Sequence, residues 1–144
     1  LVLVANQETA RFFLNDGVGK GLREVLALSA RQFPEIDNWY ADRVGRGGVR
    51  PASGGQVQSY DRRESEDEMI RERFARRILE ALDKQWRGCG ANRLILAAPA
   101  KMLGHLRDGL GADLKTALAS DMPKDLTKVE ARDLPPYFKD MAAF

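Results

Sequence analysis

Arg93-Leu94-Ile95-Leu96-Ala97-Ala98-Pro99 is a short apolar run closed by proline, and it reads as a strand buried on both faces. The residues ahead of it set its direction. Ser65-Glu66-Asp67-Glu68 fits a capping box, with Ser65 as N-cap and Glu68 placed to reach back. Ile70, Phe74, Ile78 and Leu82 then recur every four residues, and Ala75, Leu79 and Trp86 widen the stripe. On the far face Glu72–Arg76 and Glu80–Lys84 are well-oriented i,i+4 pairs. Gly88-Cys89-Gly90 should end this helix, because glycine tolerates the left-handed cap. A helix feeding straight into a buried strand is half of a parallel crossover.

Upstream, Leu1-Val2-Leu3-Val4-Ala5 is a second run apolar at every position. Asn6-Gln7-Glu8 turns the chain into a strand from Thr9 to Leu14. Asn15-Asp16-Gly17 and the glycines up to Gly21 turn it again, into a strand over Leu22 to Ser29. Three strands with short turns predict an antiparallel meander. From Arg31 to Arg63 periodicity disappears, and Pro34, Pro51 and several glycines predict a long flexible loop. Downstream, Ala100 to Leu110 predicts a short helix with Met102, Leu103, Leu106 and Leu110 on one side. Thr116 to Asp121 predicts the last strand, and Thr127-Lys128-Val129-Glu130 a cap for a final helix interrupted at Pro135-Pro136.

The order β-β-β-α-β-α-β-α fits one α/β domain spanning 1–144. Its layout is ribonuclease-H-like and three-layered: a five-stranded mixed sheet, three antiparallel strands then βαβ units, with helices on its faces. A chain of 144 residues, 44% hydrophobic and 31% charged, is large enough for one core. Twenty-three basic against 21 acidic residues give a net charge of only +2. Any nucleic-acid contact must therefore come from local clustering. No apolar run approaches the ~20 residues of a membrane span. The single cysteine, Cys89, excludes an internal disulfide and suits a reducing, cytoplasmic setting. The chain opens at Leu1 without Met, so a few upstream residues are expected, and the missing signal peptide says little about compartment.

An ordered set of short motifs runs along nearly the whole chain. It comprises Val2-Leu3-Val4-Ala5-Asn6 with Ala10-Arg11-Phe12, Asp42-Arg43-Val44-Gly45-Arg46, and Arg73-Phe74-Ala75. It continues with Leu94 to Pro99, Leu103-Gly104-His105-Leu106-Arg107, and Met122-Pro123-Lys124-Asp125-Leu126-Thr127. With these motifs the chain resembles the bacterial family of proteins required for attachment to host cells, a name that records a phenotype rather than an activity. The resemblance implies a fold like the middle domain of archaeal and eukaryotic peptide-release factors. In those factors a Gly-Gly-Gln loop feeds a long basic helix and positions water against the peptidyl-tRNA ester. Gly54-Gly55-Gln56 stands at the matching place here, so Gln56 is the catalytic candidate if the chain is a ribosome-rescue hydrolase.

The surrounding sequence argues against that chemistry, because no stop-codon-reading domain or basic tail accompanies the loop. A two-metal nuclease needs carboxylates on its central strands, and none lies between Leu1 and Gln7 or between Asn92 and Lys101. His105 is the only histidine, so no histidine-based metal site or triad is expected, nor any cofactor; His105 itself reads as an ordinary helix position. The arginines carry the binding expectation. Arg43, Arg46, Arg50, Arg62 and Arg63 share the loop with Trp39 and Tyr40, and Arg73 and Arg77 follow in the helix. Guanidinium forks beside aromatics suit phosphate contact and base stacking. The expected role is therefore non-catalytic binding, with RNA or the ribosome as partner. Tyr137, Phe138, Met141 and Phe144 keep helical spacing and read as core or homodimer contacts, which leaves an oligomeric scaffold as a third class.

Overall fold

Val2–Ala5 (β1) and Leu94–Ala97 (β4) are buried at every position, and this two-sided burial organises the molecule. The computed structural model describes residues 1–46 and 56–140, with the side chains of 42–61 left aside. The other elements are β2 (Thr9–Asn15), β3 (Leu22–Ser29), α1 (Pro34–Arg46), α2 (Gln56–Cys89), α3 (Ala100–Gly109), α4 (Ala112–Ala117) and β5 (Leu118–Met122). The sheet order is β3-β2-β1-β4-β5. β1–β2 and β2–β3 pair antiparallel, and β1–β4 and β4–β5 pair parallel. The fold is thus mixed α/β, with the expected meander and parallel strands in one sheet.

The alternation of β1 and β4 splits the core in two. Leu1, Leu3, Ala5, Leu94 and Leu96 meet Ile70, Phe74, Ile78 and Leu82 of α2, together with Ile36 of α1 and Met102, Leu103 and Leu106 of α3. Val2, Val4, Ile95 and Ala97 face the other way, under Leu126, Leu134 and Phe138. That second cover is no α-helix: 3-10 turns at Ala131–Asp133 and Pro135–Phe138 replace the final helix that the sequence predicted. Pro135 and Pro136 cannot donate the amide bonds an α-helix there would need.

Three more boundaries differ from expectation. The predicted loop over 31–63 holds α1, which Pro34 opens in the first helical position that proline favours, with Glu35 and Asp37 in the first turn. α2 begins at Gln56, so Ser65 sits inside the helix rather than capping it. The last strand is Leu118–Met122, and Thr116 lies in the last turn of the short helix α4. The end of α2 is as read, with Gly90 at φ +69° just past it. Both edge strands carry a bulge. Val25 has no partner between the pairs Phe12–Leu26 and Phe13–Glu24, nor Ala119 between Leu94–Leu118 and Ile95–Ser120. Bulges of this kind blunt sheet edges against pairing with another chain. No helix among the described residues is long and apolar enough to cross a membrane.

Phe74 is fully buried where α2 meets the sheet. Phe74→Ala should cost about 3–5 kcal/mol, read as a lower urea midpoint with an unchanged slope.

Candidate functional site

α2 is 34 residues long, about 51 Å at 1.5 Å per residue, whereas β1 has four residues, about 13 Å. Its side chains are buried in the core only from Ile70 onward, and none from Arg62 to Met69 is buried. The first part of α2 therefore overhangs the core. α1 lies beside it and forms an antiparallel hairpin, since Glu35 near the start of α1 meets Arg73 and Arg77 well along α2.

Arg73 and Arg77 bolt the base of this hairpin. Arg73 donates to the Glu35 carbonyl at 2.8 Å, and its guanidinium lies 5.7 Å from the Trp39 ring centroid. Arg77 donates to Glu35 Oε1 at 2.5 Å and to Glu80 at 3.4 Å, and lies 5.0 Å from the Phe33 ring. The hydrogen bond from Arg77 holds the Glu35 carboxyl below its usual range, and the same bond raises Arg77. The guanidinium–aromatic pairing expected for an RNA surface is present, but in these two residues it is turned inward to join α1 to α2.

Arg62 and Arg63 are exposed on the overhang. Arg43, Arg46 and Arg50 lie outside the described side chains, as do Gly54, Gly55 and the side chain of Gln56. What the chain order fixes is that 47–55 link Arg46, the last residue of α1, to Gln56, the first of α2. Between Arg43 and Arg63 five arginines face one aspartate, while between Glu64 and Glu72 five acids face only Arg71. Of the candidate arginines whose side chains are described, Arg62 and Arg63 are exposed on the overhang and Arg73 and Arg77 form a structural base. Along α2, Arg63 and Arg73 are about 15 Å apart.

Two polar clusters escaped the sequence reading. In the first, Glu68 joins α2 to α3 through His105 Nε2 at 2.5 Å, and it also accepts from Arg71, which donates to Gln7 Oε1 at 3.3 Å. Lys101 donates to Glu64 at 2.5 Å one turn away. The available signal was a matched i,i+4 spacing, Glu64/Glu68 against Lys101/His105. Partial burial pushes the Glu68 carboxyl up, but His105 and Arg71 outweigh it and hold it low.

The second cluster sits past the carboxyl end of β1. Asn6 Nδ2 donates to Asp125 Oδ2 and to Thr127 Oγ1, both at 3.0 Å, while Asn6 Oδ1 accepts from the Glu8 and Thr9 amides. Arg11 donates to the carbonyls of Thr127 and Val129 and forks onto Glu24. This network latches the segment that covers the second sheet face. Desolvation pushes the Asp125 carboxyl up, but hydrogen bonds from Thr127 and Asn6 prevail and lower it. Among the described residues no three metal-ligating side chains converge. Cys89 Sγ is occupied with the Trp86 carbonyl and the Ala91 amide.

The family model described as "Protein required for attachment to host cells" matches residues 1–137. The match includes the hairpin, both polar clusters and the latched segment. No curated protein matches the chain.

The latch makes an acid-sensitivity prediction. A carboxyl whose folded pKa is depressed stabilises the fold above its unfolded value, ~3.9 for Asp, and loses that contribution as pH falls through the folded value. Asp125→Asn should therefore be less stable than wild type at pH 7, with the gap closing below about pH 4. Urea midpoints from pH 3 to 7 test this, and a pH-independent gap would contradict it.

Proposed function

Because the chain belongs to the family of proteins required for attachment to host cells, we propose that it serves that process indirectly, as a non-catalytic RNA- or ribosome-binding domain in the cytoplasm. The observation that carries this reading is the overhanging hairpin. A helix that runs eight described residues, Arg62 to Met69, without one buried side chain contributes little to the core there, so its extension calls for another use. Exposed Arg62 and Arg63, with Arg43, Arg46 and Arg50 close in sequence, supply the charge that phosphates attract. The sheet order β3-β2-β1-β4-β5 supports a ribonuclease-H-like layout, and a basic linker between two helices supports likeness to the release-factor middle domain.

A second reading, ribosome rescue by ester hydrolysis, has one observation in its favour: Gln56 opens α2 directly after Gly54-Gly55. Peptide release from stalled ribosomes would then fall sharply in Gln56→Ala, and equal release by the mutant ends that reading.

For the binding reading, the protein should co-sediment with ribosomes or retain RNA at low salt and release it as salt rises. Replacing Arg62 and Arg63 by Glu should weaken retention about tenfold and reduce the salt slope by roughly two. Thermal stability should stay unchanged, because both side chains are exposed. Absence of retention at low salt sinks the reading.

A further inference from the structure

We propose that Glu68 and His105 form a protonation-sensitive brace that sets how firmly the overhanging start of α2 is held against α3. The inference concerns the posture of the hairpin and does not depend on what the hairpin binds. α2 enters the core at Ile70, and the brace sits immediately before that point. Lys101–Glu64 ties α2 to α3 one turn further out.

The groups facing His105 are few. From α2 come Glu68, and Arg71 acting through the other oxygen of the same carboxylate. From α3 itself comes Lys101, already committed to Glu64, and from the β1–β2 turn comes Gln7, holding Arg71. His105 is about 29% exposed and the Arg71 side chain about 12%. Protons therefore reach the imidazole from solvent, while the arginine stays fixed. With a charged imidazole the contact to Glu68 is an ion pair; a neutral imidazole can still donate to the carboxylate, but without the attraction between opposite charges. Arg71 keeps its charge throughout and retains Glu68, so the brace loosens by degrees rather than opening. His105 is the only histidine in the chain, the one side-chain type whose unperturbed charge change falls between pH 5 and 8. A pH dependence confined to this root of the hairpin therefore reports on this single contact.

Amide hydrogen exchange on the full chain, corrected for intrinsic rates, reads the brace directly. Protection over Glu64 to Ile70 should fall about threefold from pH 5.5 to 8 in wild type, following loss of the ion pair. It should stay flat in His105→Gln, while Phe74 to Leu82 stays flat in both. The same pH profile in wild type and His105→Gln, or one equal change along all of α2, overturns the proposal. If His105→Gln does not fold, Glu68→Gln removes the same contact from the other side. There too the protection of Glu64 to Ile70 should be flat with pH, and a wild-type profile overturns the brace.

Discussion

The two-sided burial of β1 and β4 is the constraint from which the rest of the structure follows. Four residues of each strand alternate between two apolar clusters, so the sheet must be covered on both faces. At about 25 cal/mol per Å² of apolar surface removed from water, leaving either face bare would cost more than a domain's net stability. The two covers differ in kind. One face receives the regular stripe of α2 with α3 and α1, and the other a segment of short turns anchored by Leu126, Leu134 and Phe138. A stripe of helix holds itself by repetition. The turns have no ladder of their own, which explains why a polar latch of Asn6, Asp125, Thr127 and Arg11 fastens them.

The same constraint frees half of α2. Once Ile70 to Leu82 occupies the sheet, nothing in the core restricts what precedes Ile70, and the helix runs on beside α1. Charge then orders the hairpin along its length. Arg73 and Arg77 bind Glu35 at the base, acids meet His105, Arg71 and Lys101 in the middle, and exposed Arg62 and Arg63 lie beyond. An arginine count alone would merge base and outer part into one binding surface. Distances separate them, because a guanidinium already donating to Glu35 and resting on an aromatic ring must give up those contacts before it meets a phosphate.

What could be read from the sequence was whatever the core enforces. Leu1–Ala5, Leu94–Ala97, the Ile70–Leu82 stripe and the glycine stop at Gly90 all have their pattern set by burial or backbone geometry. The misreadings fall where burial does not act. The start of α2 carries no apolar stripe, so Ser65 with Glu68 looked like its cap, although Glu68 instead reaches across to His105. Pro34 and the scattered glycines looked like loop signals because only Ile36 of α1 is deeply buried among its described side chains. The clusters around Glu68 and Asp125 were invisible for a different reason. Their members are 37 and 119 residues apart, and single-sequence spacing carries no sign of such meetings.

An overhanging helix without an apolar face is marginal by itself, since isolated helices of under ~12–15 residues seldom persist in water. This one is continuous with a buried segment, so its nucleation cost is already met, and only propagation along the overhang must be favourable. The contacts of Glu64 and Glu68 with α3 hold the overhang, and the clamp of Glu35 on Arg73 and Arg77 fixes α1 at its base. The side chains that keep the hairpin in place are thus distinct from Arg62 and Arg63, which point outward with nothing to stabilise. The contacts that hold the helix and the side chains it leaves exposed are divided between different residues. Substitutions at these exposed positions therefore leave the sheet, its two covers and the hairpin base intact.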